Sequence, residues 1–142
     1  MLVATDGSET ARLAVERAAE LASGTGARVH VITAYRPLAA RVEAGRAVDP
    51  EISEWRIASD AKADAVLDEA CSTLRLRGVE AEPHARSGDP ADAILDLAEQ
   101  LDADLIVVGN KGLSGARRFL LGSVPNKVSH HAPCDVLIVH TS

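Results

Sequence analysis

Aromatic residues are nearly absent: one Trp, one Tyr and one Phe make up 2% of the 142 residues. The core must therefore be filled by Ala, Val, Leu and Ile, and only Trp55, Tyr35 and Phe119 are there to stack on bases. There is no basic block, and the net charge is −6. Together these features argue against nucleic-acid binding. Cysteine is scarce as well. Cys71 and Cys134 are too few for a disulfide framework and lack metal-site spacing. Cys134, after Ala132-Pro133, is expected to be a packed thiol. The five histidines give no metal set. His130 and His131 are consecutive, about 100° apart on a helix, and are expected to serve as cap or surface residues. No apolar run approaches the roughly 20 residues that span a bilayer. Met1-Leu2-Val3-Ala4 enters a strand at once, leaving no room for a signal peptide, so a cytoplasmic protein is expected.

What is present is an alternation of short apolar runs with helical periodicity, the pattern of a parallel α/β sheet. A composition of 46% hydrophobic and 25% charged residues, over this length, suits one domain spanning residues 1–142. Leu2-Val3-Ala4-Thr5 reads as a first strand ending at Asp6-Gly7-Ser8. Ala11, Ala14, Val15, Ala18, Leu21 and Ala22 then form one helical stripe, stopped by Gly24 and Gly26. Val29 to Ile32 is the second strand. The pattern fails from Pro37 to Val48, which reads as a loop. Asp49-Pro50-Glu51 combines a capping side chain with proline at the first helical position, and the helix would carry Ile52, Trp55, Val66, Leu67, Ala70 and Leu74 to Gly78. An interruption near Ser59 is compatible with its length. Val79 to Arg86 is a third strand, and Pro83 within it removes a ladder donor, which places it at a sheet edge.

Asp89-Pro90 repeats the cap-plus-proline start, with Ile94, Leu97, Ala98 and Leu101 as the apolar face of the next helix. Leu105 to Val108 is apolar enough to be buried on both faces. Val124 to His131 is a short helix, and Val136 to Val139 the last strand. Right-handed crossovers and the Pro83 edge give an open five-stranded parallel sheet of order 3-2-1-4-5, doubly wound and Rossmann-like, with helices on both faces. That order brings the ends of strands 1 and 4, carrying Asp6 and Gly109, to one crevice, where such folds bind ligands.

The fourth strand opens into Gly109-Asn110-Lys111-Gly112, and after nine residues come Gly122-Ser123 and a helix. Glycines let backbone N–H groups approach an anion with no Cβ in the way, and a helix start adds free donors and a positive dipole end. This is the layout of a phosphate cradle. Asp6 could bond a ribose or adenine, or cap the following helix, a task for which Ser8 competes. Lys111, Arg117 and Arg118 lie between the glycines and could pair with phosphate or remain solvated.

Val3-Ala4-Thr5-Asp6-Gly7-Ser8, Val29-His30-Val31, the spaced glycines, Leu120-Leu121-Gly122-Ser123-Val124 and Ala132-Pro133-Cys134 together resemble the universal stress protein family, over the whole chain. The resemblance implies a five-stranded α/β domain, usually dimeric, that holds an adenine nucleotide. It implies that Ala4, Thr5 and Asp6 line a nucleoside pocket and that Val31 offers main-chain groups to the adenine edge. It further implies that Val108, Gly109 and Gly112 meet ribose and phosphate, and that Gly122, Ser123 and Val124 cradle phosphate. Many members have Ser-His where this chain has Asn110-Lys111, and a hydroxyl residue where it has Pro125. A subgroup sharing Gly-Asn-x-Gly and Leu-Gly-Ser-Val-Pro is similar in binding cyclic AMP, so ATP, with magnesium, and cyclic AMP both remain open as ligands.

Three functions compete: a nucleotide sensor in signalling or stress response, a slow ATPase or adenylyl-transfer relative, and a ligand-free dimeric scaffold. His-x-Gly-His, Ser-Gly-Gly-x-Asp-Ser and Walker signatures are all missing from the sequence. The glycine loop holds no acid to bind a metal, so at most weak hydrolysis is expected and no catalytic residue is assigned. A scaffold leaves the glycines at the ligand-binding end of the sheet unexplained. The expected reading is the nucleotide sensor, a homodimer paired through the C-terminal strand at Val136 and Ile138, with no membrane association.

Overall fold

A computed structural model describes residues 1–36, 60–110 and 121–140. Five strands, β1 (Leu2–Ala4), β2 (Val29–Tyr35), β3 (Ala81–Ser87), β4 (Leu105–Gly109) and β5 (Asp135–Val139), alternate with four helices, α1 (Glu9–Thr25), α2 (Asp60–Leu76), α3 (Pro90–Gln100) and α4 (Ser123–His131). The strands form one parallel sheet of order β3-β2-β1-β4-β5, as expected. Pro83 lies on the edge strand β3, opposite Val31.

Residue alternation on the strands divides the core in two. Val3, Val29, Val31 and Val107 pack with Ala14, Val15, Ala18, Ala19 and Ala22 of α1 and Leu67, Ala70, Cys71 and Leu74 of α2. Leu2, Ala4, Ile32, Ile106 and Val108 pack on the other face with Ile94, Leu97 and Ala98 of α3 and Val124 and Val128 of α4. With so few rings available, α1 uses alanines to come close to the sheet. Its stripe includes Ala19, fully buried, whereas Leu21 is only half-buried.

Local chemistry sets the element ends. Ser8 is the N-cap of α1, its Oγ accepting from the Ala11 N–H at 3.2 Å. Helix α1 runs through Gly24, which therefore does not stop it. Gly26 does, in the left-handed region (φ 70°), its N–H donating to the Ala22 carbonyl. Gly78 (φ 75°) follows α2 in the same way, and Val79, expected to open β3, donates instead to the Leu74 carbonyl. Asp89 caps α3 from the residue before Pro90, as its sequence foretold. β2 runs past Ile32 to Tyr35, because Thr33, Ala34 and Tyr35 pair with Ala85, Arg86 and Ser87. The Pro37–Val48 loop, the Asp49-Pro50-Glu51 helix start, Ile52 and Trp55 lie outside the described residues.

Candidate functional site

The crevice begins at the turn after β1. Thr5 donates its N–H to the Ile32 carbonyl at 3.0 Å, extending the β1–β2 ladder by one residue. Its Oγ1 then accepts the Gly7 N–H at 3.1 Å. Asp6 is buried, and its Oδ1 accepts both the Ser8 N–H at 2.9 Å and the Ser8 hydroxyl at 2.6 Å. The cap of α1 is therefore Ser8, and Asp6 fixes Ser8 in place. Glycine is favoured at position 7 chiefly by its φ of +81°, and a Cβ there would also lie 2.6 Å from Val66 Cγ2, so that side chain would have to shift.

The second wall is the end of β4. The β1–β4 register aligns Leu2 with Ile106 and Val3 with Val107, so its continuation sets Thr5 level with Gly109 and Asp6 level with Asn110. Asn110 donates its N–H to the Val139 carbonyl at 2.9 Å, and its own carbonyl accepts the Gly122 N–H at 3.0 Å. The chain leaves β4 and later returns to the same point. Gly122 is the N-cap of α4, buried and in an extended conformation (φ −61°, ψ 163°). Gly122 has no side chain with which to cap this helix end. Ser123, Val124 and Pro125 occupy its first three positions, where N–H groups have no intrahelical acceptor. Proline at the third brings no N–H at all, which leaves Ser123 and Val124 as donors.

Ala4, Thr5, Asp6, Val108, Gly109, Gly122, Ser123 and Val124 thus come together around the ends of β1 and β4. Val31 does not join them. It is fully buried mid-strand, level with Val3 on one side and Pro83 on the other, and its main chain belongs to the sheet. The part of β2 level with Thr5 is Thr33, which sequence reading passed over because its apolar run stops at Ile32. Thr33 is fully buried, and its Oγ1 has no hydrogen-bond partner among the described residues. Gly112, Lys111, Arg117 and Arg118 lie outside the described residues. Lys127 is the cation of α4 nearest the motif in sequence, and it is already engaged. Its Nζ lies 2.7 Å from Asp92 and 3.5 Å from Asp89, and these carboxylates raise its pKa, the Asp92 hydrogen bond most.

A cavity of about 40 Å³ opens beneath the turn, between Thr5, Gly7, Val15, Val66 and Ala70. That is room for a water molecule, not for a nucleotide. Cys71 is packed in the core, where burial pushes its thiol pKa up, while Cys134 is only half-buried. The histidines require a correction. Their spacing suggested no grouping, yet the sheet sets His30 and His84, 54 residues apart, at 3.0 Å beside Glu82. His130 and His131 are exposed in the last turn of α4.

Residues 1–140 match the Universal stress protein family. The chain belongs to that family. The universal stress protein Rv1636 of Mycobacterium tuberculosis is 40% identical over 144 residues, covering 100% of this chain and 96% of its own length. A crystal structure of a universal stress protein in complex with cAMP superposes with a TM-score of 0.76 at 39% identity, covering 99% of this chain and 96% of the other. The universal stress protein from Archaeoglobus fulgidus in complex with dAMP gives 0.69 at 31% identity, covering 96% and 94%. Among the described residues of this universal stress protein, no helix is long and apolar enough to cross a membrane.

Proposed function

We propose that this universal stress protein is an adenine-nucleotide sensor of the signalling or stress-response type. Its ligand carries a single phosphate, with cyclic AMP favoured over ATP, and lies across the ends of β1 and β4. The observation that carries the reading is the hydrogen bond from the Gly122 N–H to the Asn110 carbonyl. It ties the N-terminus of α4, whose N-cap is a glycine, to the strand end level with the buried Asp6 turn, which supports a crevice where anion donors and a nucleoside acceptor would meet. The amides of Ser123 and Val124 would serve the phosphate, with Gly109, Gly112 and Gly122 allowing its approach. Asp6, with Ala4 and Thr5, would serve the nucleoside, and Val108 its ribose side. On β2 the base would meet the strand beyond Val31, towards its end at Tyr35, since Val31 is enclosed by its neighbours.

The preference for one phosphate rests on Pro125, which removes the third donor of the helix end. Two similar proteins have been solved with single-phosphate adenine nucleotides, cAMP and dAMP. The protein acts by changing conformation or partners with ligand state, not by turnover. It works in the cytoplasm as a homodimer, with no nucleic acid or membrane as a partner, and ATP with magnesium is a secondary ligand. Mass spectrometry of small molecules released from the freshly purified, denatured protein, followed by titration of cyclic AMP, AMP and ATP with and without magnesium, tests the reading. Recovery or binding of cyclic AMP or AMP is expected. No adenine nucleotide bound, or a preference for ATP of about a hundredfold or more, overturns it.

A further inference from the structure

Away from the crevice, β2 and β3 place three ligating side chains on one face of the sheet edge. His30 and Glu82 are register partners, and His84 lies two residues beyond Glu82, opposite Ile32. A period of two gives Glu82 and His84 the same face. His30 stands level with Leu2, the first residue of β1, so the group belongs to the opening part of the sheet rather than to its ligand-binding end.

His30 Nδ1 lies 3.0 Å from His84 Nε2 and 3.5 Å from Glu82 Oε2, and the three ligand atoms all fall within 4.8 Å of one another. A tetrahedral ion about 2.0–2.2 Å from nitrogen and carboxylate ligands sets neighbouring ligand atoms about 3.3–3.6 Å apart. The His30–Glu82 separation meets that requirement as it stands, and the two rings need open only slightly from 3.0 Å to admit the ion. All three residues are half-buried, so solvent can supply the remaining coordination positions.

We propose that His30, His84 and Glu82 form a binding site for a divalent transition-metal ion, with zinc the expected occupant. Two imidazoles and a carboxylate are a donor set suited to zinc, and a site with three protein ligands keeps a position open for water. Burial lowers the pKa of both rings, against the opposing pull of Glu82, which favours the neutral imidazole that ligates. The bound ion replaces the His30–His84 hydrogen bond and joins the edge strand to its neighbour. Arg28 is its electrostatic competitor, with its guanidinium 3.9 Å from both Glu80 and Glu82, but that side chain is 62% exposed and can swing into solvent.

The test is calorimetric titration of zinc chloride into the full-length, tag-free protein after chelator treatment. One ion per chain is expected, with a dissociation constant of about 10 μM or tighter. His84→Ala and Glu82→Gln, both on the edge strand, should each weaken binding by about tenfold or more. The double variant His130→Ala/His131→Ala should bind as the wild type does. Ring NMR signals of His30 and His84 in the unsubstituted protein should shift on zinc addition, a measurement that does not depend on any variant folding. Binding only weaker than about 100 μM, ring signals of His30 and His84 that do not respond, or undiminished affinity in folded His84→Ala protein would each overturn the proposal.

Discussion

The main-chain N–H of Gly122 donates to the carbonyl of Asn110 at 3.0 Å, joining the start of a helix to the end of a strand that left the sheet twelve residues earlier. The bond is between backbone atoms, so it does not depend on the Asn110 side chain. A change at Gly122 therefore tests the space beside the backbone rather than the junction itself.

Gly122→Val is expected to abolish nucleotide binding while the protein stays folded. The residue's φ of −61° and ψ of 163° suit any side chain, including a β-branched one, so no backbone strain follows. What changes is that a branched Cβ stands where the phosphate would approach. Thermal melting and calorimetry with cyclic AMP on the same sample separate the two effects. Unchanged affinity in a folded variant would remove this loop from the site.

Asp6 and Ser8 hydrogen-bond to each other but should separate by readout. Ser8→Ala removes the α1 cap and should cost about 0.5–2 kcal/mol of stability with a smaller effect on affinity. Asp6→Ala should weaken nucleotide binding by roughly 1–3 kcal/mol. Denaturation and ligand titration of both variants check this, and equal affinities for the Asp6 variant and wild type would confine Asp6 to a structural role.

Thr33→Val should stabilise the ligand-free protein by on the order of 1 kcal/mol, because it replaces a buried hydroxyl that has no partner among the described residues with an apolar group of similar shape. Urea denaturation without nucleotide measures it. A loss of stability would mean that the hydroxyl is satisfied in solution.

Pro125→Ser restores an N–H at the third position of α4 and adds a hydroxyl. Each donor is worth roughly 1.5–3 kcal/mol to a charged group, so the variant should move relative affinity towards ATP. Parallel titrations of ATP and cyclic AMP into both proteins decide it; an unmoved ratio would show that this helix end does not meet the distal phosphates.

β5 is the outer strand, and its Val136, Leu137 and Ile138 are only half-buried. An apolar edge of this kind invites strand pairing across a twofold axis. Sedimentation at tens of micromolar should give a dimer for the wild type and a monomer for Ile138→Lys. A wild-type monomer of normal stability would refute the pairing.

The strand order could be read from the chain because Pro83 can sit only at an edge and because Asp89-Pro90 announces a helix by chemistry alone. The convergence of Asp6 and Gly109 followed from that order. The end of β2 was not legible: Thr33 is polar, yet the strand continues and buries it, because pairing with β3 outweighs side-chain polarity there. Val31 consequently looked nearer the crevice than it is. Gly24 looked like a stop signal, but the left-handed conformation that ends α1 falls at Gly26. The histidine pair was invisible for a different reason: only the register of two strands relates positions 54 apart.

Among the described residues the two core clusters contain no aromatic ring, and Tyr35, at the end of β2, is only half-buried. Near-ultraviolet dichroism will therefore carry little signal from the packing of these two clusters. An adenine held in the crevice would add a chromophore beside packed side chains that supply none, so a dichroism band induced by nucleotide would report on the ligand rather than on these two clusters.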